Sequence, residues 1–342
     1  RGEIMLDSAN NIIFTSSTKS TDFPTQNPFQ ASNAGQQDAV IFKISEDFTT
    51  LLSSSYFGGS NNDAGYSVKV DSSGNVLMAG GTSSSDITVM NGHQNSYGGG
   101  ETDGFVIKLP PDMSAVDFGS YVGTNSYDQV FFVDIDRADN IYILGQSLGS
   151  MPVSSGVYSN PNSSGFVWRL DPQLSSITKS TIIGNGTNAL MSPAAFLIDV
   201  CGNIYISSWG GGVLPTDPSI SGLPVSSDAY ISNSPNGHDF HLMVLEREMN
   251  SLLYGSYMGG NQAEEHVDGG TSRFDKYGVV YQSVCGGCGG FSDFPTTPGA
   301  WSSQNLEVNN GCNNIVFKFD FEIVPKAEFS VDQFEGCAPL TI

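Results

Sequence analysis

Cys285-Gly286-Gly287-Cys288, followed by Cys312, is the part of the chain whose residue types and spacing come nearest to a chemical site. Thiolates at that spacing suit a soft metal, but structural zinc takes four ligands, usually as two tight pairs. The imidazoles of His238, His241 and His266 supply no evident fourth position. A Cys-x-x-Cys redox centre expects a helix N-terminus to lower the thiol pKa. Paired glycines on a strand-like run do not provide one. A disulfide is the favoured reading, as in exported proteins. Cys201 and Cys337 complete a set of 5 cysteines, an odd count that leaves a thiol unpaired or paired outside this sequence.

Two further groups invite a binding reading. Asp134, Asp136 and Asp139, with Asn140, place carboxylates along a loop in a way that suits calcium. The spacing lacks a full calcium-loop pattern and has no distal Glu in register. The competing reading is an Asx turn, in which the side chain bonds its own backbone and Gly takes positive φ. The same turn recurs where no cluster exists, which favours the turn. Trp209, beside Gly210-Gly211-Gly212, offers an aromatic face for a carbohydrate; packing beneath its own loop is the alternative. Trp168 lies mid-strand and reads as core, and Trp301 is the third tryptophan.

Signatures of catalysis are missing from the sequence. There is no Gly-x-Ser-x-Gly elbow, no His-Glu-x-x-His and no phosphate loop. His238-Asp239-Phe240-His241 is the one tempting cluster, yet His241 takes a strand position that is apolar in the other copies and reads as a buried, satisfied imidazole. Carboxylate pairs are expected by chance in a chain with 35 acidic and 13 basic residues, so they carry little weight as a glycosidase signature. The formal charge of −22 opposes nucleic acid and anionic lipid as partners. No apolar run reaches the length of a bilayer span, so direct membrane insertion is not expected.

What positions these residues is a repeat. An Asp opens each copy at Asp7, Asp71, Asp136, Asp199 and Asp275, in steps of 64, 65, 63 and 76 residues. An Asn follows at Asn11, Asn75, Asn140 and Asn203, with Val279 in its place in the fifth copy. The second anchor is Phe23-Pro24-Thr25, Met151-Pro152-Val153, Leu223-Pro224-Val225 and Phe294-Pro295-Thr296, with Ile87-Thr88-Val89 in copy two. The third is an apolar strand, such as Phe105 to Leu109. The fourth is a Tyr-Gly corner at Tyr56, Tyr121 and Tyr257, replaced by Ile182-Ile183-Gly184 in copy three. Four anchors in one order across five copies mark a repeat architecture. Copy four carries an insertion near Gly210–Gly222, which lengthens its step.

Each copy holds four short strands and no amphipathic 3.6 period, so the expected fold is all-β. Units of this size cannot bury both faces alone, and packing them around a ring does so. The sequence therefore predicts a β-propeller of four-stranded antiparallel blades over residues 1–324, five visible and five to seven in total. Glu3–Leu6 reads as the fourth strand of an earlier unit, one further strand upstream would close the ring, and a β-helix is the runner-up. Residues 325–342 read as a linker and the first strand of an immunoglobulin-like sandwich, cut short. Strand order puts Cys285, Cys288 and Cys312 at one end of a blade, so a bridge from Cys312 to either of the others is feasible. Cys201 and Cys337 fall at the other end, where they could pair, unless Cys337 pairs within the second domain.

The Asp-x-x-Gly-Asn turns, Gly-Gly corners and Asp-Phe-Pro-Thr links resemble the SBBP β-propeller repeat. Asp199 to Gly211 together with Cys285 to Gly290 resembles a subset found in large secreted proteins of Bacteroidetes. Phe329 to Ile342, with Gly336-Cys337-Ala338-Pro339-Leu340-Thr341, resembles the start of a PKD domain. Such proteins commonly end in a gliding-motility-associated sorting domain of the type IX secretion system. The resemblance implies a non-enzymatic scaffold or adhesin module at the cell surface, associated with the outer membrane. It also implies that the chain meets the type IX outer-membrane machinery during export and a surface glycan or protein afterwards. A polysaccharide-binding or polysaccharide-degrading propeller, and a stable subunit of a secretion or motility complex, are the alternatives. No cofactor is expected, calcium apart.

Overall fold

A computed structural model describes residues 2–187, 191–210, 219–307, 309 and 311–321. The incomplete sandwich expected at 325–342, Cys337, and the core of the insertion at 211–218 lie outside the described residues. The fold is all-β, with no helix among the described residues and none long and apolar enough to cross a membrane.

The strands are β1 (Glu3–Leu6), β2 (Ile12–Thr18), β3 (Asp38–Ile44), β4 (Leu51–Phe57), β5 (Asp63–Val70), β6 (Val76–Thr82), β7 (Asp103–Leu109), β8 (Phe118–Val122), β9 (Asp128–Ile135) and β10 (Ile141–Ser147). They continue as β11 (Gly165–Leu170), β12 (Ile177–Ile183), β13 (Ser192–Ile198), β14 (Ile204–Trp209), β15 (Phe240–Leu245), β16 (Leu252–Met258), β17 (Glu264–Phe274), β18 (Val280–Cys288) and β19 (Asn313–Phe319). They form five antiparallel β-propeller blades in chain order: β1–β4, β5–β8, β9–β12, β13–β16 and, among the described residues, the three strands β17–β19. Within a blade each strand pairs with its sequence neighbour, as β6 does with β5 and β7.

The blades are out of phase with the sequence repeat by one strand. Each repeat begins at the turn before a blade's second strand, and its last strand opens the next blade. Glu3–Leu6, expected as the last strand of an earlier unit, holds that place in the repeat and is at the same time the first strand of the first blade, paired to β2 from Glu3↔Thr15 to Leu6↔Ile12.

The repeated Asp makes the turn between first and second strands. Asp71 Oδ1 accepts from the N–H groups of Ser73 (2.9 Å) and Asn75 (2.8 Å), and Oδ2 accepts from Asn75 Nδ2 (2.8 Å). The fourth residue of each turn has left-handed backbone: Asn10, Gly74, Asp139, Gly202 and Gly278. In the fifth copy, where Val279 cannot donate from its side chain, the Tyr281 hydroxyl reaches Asp275 Oδ2 at 3.3 Å. The Tyr-Gly corner meets the hydrophobic-Pro link. Tyr56 donates to Ser20 O (3.0 Å) and accepts from Phe23 N (2.9 Å). Tyr257 does the same with Ile220 O (2.9 Å) and Leu223 N (2.8 Å). Two anchors far apart in sequence are thus one device that pins the long link across its own blade.

The chain divides into two compact units, Arg1–Ser154 with Ser164–Ile182, and Ser155–Ser163 with Ile183–Ile342. In the first unit, one core lies between blades one and two (Ile13, Ile41, Phe57, Val68, Met78, Phe105) and another between blades two and three (Leu77, Val106, Val122, Val130, Phe166, Trp168). β6 and β7 are buried at every residue, because they have a core on each face. In the second unit the core joins blades four and five through Tyr205, Phe240, Leu242, Val284 and Phe317. Covering these apolar faces is what stabilises the sheets, at about 25 cal/mol per Å² of buried area.

Candidate functional site

In the second unit four chain segments meet at one corner: the end of β14, the start of β17, the end of β18 and the loop before β19. Antiparallel order brings strand ends that are remote in sequence to the same edge. The corner carries Trp209, His266, Cys288 and Cys312. Cys288 and Cys312 form a disulfide. His266 Nδ1 lies 3.8 Å from Cys288 Sγ, and its ring centre lies 6.0 Å from that of Trp209. Gly287, at φ +66°, provides the left-handed step before Cys288. Asn305 Nδ2 donates to Gly287 O (2.6 Å) and Gly311 O (3.0 Å), which ties the loop to the end of β18. On the rim, His238 Nδ1 and Glu264 Oε1 lie 3.3 Å apart.

Cys285, the other half of the Cys-x-x-Cys, is a free, half-buried thiol opposite His266 in the β17–β18 register. Among the described residues, His266, Cys288 and Cys312 are the one group of three side chains that could hold a metal. Two of its three ligand atoms are bonded to each other, so the oxidised corner offers a cation a single imidazole nitrogen. Cys201 sits in the Asp199 turn, its N–H on Asp199 Oδ1 at 2.7 Å. Cys337, the other half of the Cys201–Cys337 bridge raised from the sequence, lies outside the described residues.

Asp134, Asp136 and Asp139 do not converge. Asp136 spends both oxygens on its own turn, on Ala138 N (2.9 Å), Asn140 N (3.0 Å) and Asn140 Nδ2 (2.9 Å). Asp139 takes the left-handed position and accepts from Ser72 N at 3.0 Å. Asp134 accepts from Ile135 N (2.9 Å) and lies 3.9 Å from Lys69 Nζ. Turn chemistry therefore accounts for the spacing that resembled a calcium loop.

Trp209 is half-buried, one side packed on the blade-four/five core and the other at the corner. Trp168 is core, its ring 5.4 Å from Phe166, and Trp301 is fully exposed. His241 is buried edge-on to Tyr257, with Nε2 donating to Pro224 O at 2.9 Å, and burial pushes its pKa down to about 4. A neutral, enclosed imidazole bonded to a backbone carbonyl is not placed to move a proton for a substrate. Sequence reasoning named His266 but did not bring it to the cysteines; the only available signal was its place at the start of a first strand.

No protein-family model and no curated protein matches the chain. Solved structures similar in outline include the Dos1 propeller (8% identity, TM-score 0.38, 82% of this chain and 51% of that one). A PL25 ulvan lyase bound to -[GlcA(1-4)Rha3S]- matches with 12% identity and TM-score 0.47, over 93% of this chain and 68% of that one. The exo-β-1,3-galactanase 1,3Gal43A from Clostridium thermocellum matches with 10% identity and TM-score 0.35, over 94% of this chain and 59% of that one. The chain spans about half the length of the first of these.

Proposed function

We propose that the chain is a non-enzymatic scaffold module of an extracellular, cell-surface protein, and that the corner around Trp209 contacts a glycan or protein ligand. One observation carries this reading: the turn carboxylates, the buried His241 and the Cys288–Cys312 pair are committed to holding the blades. The turn carboxylates bond their own backbone, His241 bonds Pro224 O, and Cys288 is tied to Cys312. What stays open at the corner is an aromatic face beside an imidazole, a surface suited to stacking on the apolar face of a sugar ring. The disulfide supports an oxidising compartment. The resemblance to secreted Bacteroidetes proteins supports export through the type IX machinery and a role in surface adhesion or gliding.

Two assays on the full chain test this. Incubation with a polysaccharide panel is expected to release no product; oligosaccharides from any member would overturn the non-enzymatic reading. Glycan-array binding is expected to fall at least about tenfold in Trp209→Ala, as for a stacked aromatic contact, measured well below the midpoint of the variant, which drops because one side of the ring packs on the core. Undiminished binding by the variant would remove Trp209 from the site.

A further inference from the structure

Six carboxyl side chains unrelated to the turns are buried in three pairs, and every pair joins two adjacent blades of the same unit. Asp38 at the start of β3 meets Asp63 at the start of β5. Asp103 at the start of β7 lies in the field of Asp128 at the start of β9. Asp239, just before β15, meets Glu265 in β17. All six are essentially without solvent exposure.

Their hydrogen bonds are lopsided. Asp38 Oδ2 accepts from Ala34 N (2.9 Å) and Gln30 Nε2 (2.7 Å), while Oδ1 has no donor. Asp63 accepts from Gly59 N (2.8 Å), Ser84 Oγ (2.9 Å) and Thr82 Oγ1. Asp103 Oδ2 accepts from Gly98 N (2.6 Å) and Asp128 Oδ2 from Thr124 N (2.6 Å), and both Oδ1 atoms lack a donor. Glu265 accepts from Gly260 N (3.2 Å) and Gly287 N (3.3 Å), while Asp239 Oδ1 has no donor.

The glycine of each Tyr-Gly corner seals its pair. A Cβ on Gly58 would sit 2.6 Å from Asp38 Cγ and 2.7 Å from Asp63 Oδ2. One on Gly123 would overlap Asp103, and one on Gly259 would overlap Asp239. The glycine of that anchor is therefore there to admit a carboxyl group.

Two ionised carboxylates cannot share a dry site, since like charge and lost hydration both oppose it. We propose that in each of these three pairs one carboxyl stays protonated, and that these protons fasten neighbouring blades in a pH-dependent way. A calcium ion would need six to eight oxygens, whereas each pair has one or two bare oxygens and a glycine backbone packed against them.

Among the described residues, no lysine or arginine acts on the pairs. Tyr121, itself near Asp86, faces the first pair; Tyr97, Tyr121 and Tyr127 face the second; Asp293, His238 and Tyr257 face the third. His238 is the one among these able to carry positive charge, and it is shared with Glu264. Burial first, then the facing carboxylate, pushes Asp103 up to about 7. Burial first, then the bond to Asp239, pushes Glu265 up to about 8. A carboxyl raised in the folded state stabilises below its unfolded pKa, and that contribution is lost as pH rises through the folded value. The fastening is thus whole below about pH 4, weakens steadily as pH rises from there, and is spent by about pH 7 to 8.

Asp103→Asn tests this on the full chain, because an amide has the shape of a protonated carboxyl and never ionises. The midpoint of the variant relative to wild type is expected to rise by about 2–4 °C between mild acid and about pH 9, unchanged by a chelator. The infrared band of a protonated carboxyl should be present in the wild type at neutral pH. A midpoint difference that is flat or falls with pH, or a missing infrared band, overturns the proposal. So does calcium retained in stoichiometric amount with a chelator-sensitive midpoint, since the pair would then hold a cation and not a proton.

Discussion

His241→Phe separates a buried imidazole from everything else that titrates. The other blades place Val40, Phe105 and Phe166 at the corresponding strand position, so the site accepts an apolar side chain. His241 stays neutral in the fold because burial holds its pKa near 4, against an ordinary 6.5. The unfolded chain therefore takes up a proton below about pH 6.5 that the folded chain refuses until about pH 4. Stability linked to the neutral ring is complete above the unfolded value and is lost as pH falls toward the folded one. At about 1.4 kcal/mol per pH unit, the wild type gives up roughly 2 kcal/mol by about pH 5. Phenylalanine keeps the edge contact with Tyr257, never titrates, and leaves Pro224 O without its donor, a loss of about 1 kcal/mol. The variant should be less stable by about 1 kcal/mol at about pH 7.5, level near pH 6, and more stable by about 1 kcal/mol at about pH 5. Urea unfolding of both proteins at the three pH values measures this, and subtraction cancels the opposite slope of the carboxyl pairs. A difference that stays constant across the range would refute the argument, for it would mean that His241 titrates alike in the folded and unfolded chain.

Two further outcomes follow from the blades. Reducing Cys288–Cys312 reopens a loop of sequence separation 24 and should lower the stability of the second unit by about 3 kcal/mol; a reductant-insensitive midpoint, with reduction verified by intact mass, would count against it. Asp136→Ala removes the acceptor of three turn hydrogen bonds. It should lower stability by about 2 kcal/mol, by the same amount with calcium as with chelator, and a loss seen only with calcium would restore the cation reading of Asp134, Asp136 and Asp139.

Much of the fold could be read before the structure because local chemistry recurs in step with it. The Asp turns, the Tyr-Gly corners and the apolar strands each leave a fixed residue type at a fixed place, and the strands fall where those anchors put them. The phase of the blades was not legible. Hydrophobic pattern locates a strand but does not say which neighbour it pairs with, so the sequence does not show that Glu3–Leu6 shares a sheet with the strands after it. The corner at Trp209 was partly legible. The cysteines announced a bridge, but which pair forms depends on the left-handed step at Gly287 and on Asn305 holding the loop, and neither has a sequence signature. The carboxyl pairs escaped because acidic residues are abundant and because the third pair hides its register. Asp63 and Asp128 both lie eight residues before the next turn Asp, whereas Glu265 lies ten before Asp275, across the irregular stretch of β17.

The one-strand lag between repeat and sheet has an evolutionary corollary. A recombination event that gains or drops one whole copy at the Asp turns cuts every affected sheet at the same hairpin and rejoins equivalent halves. No half-sheet is stranded, and each new seam is spliced by the same hydrogen-bond ladder as the old ones. Such a protein can change its number of sheets in a single step, without an intermediate that must fold with a raw edge.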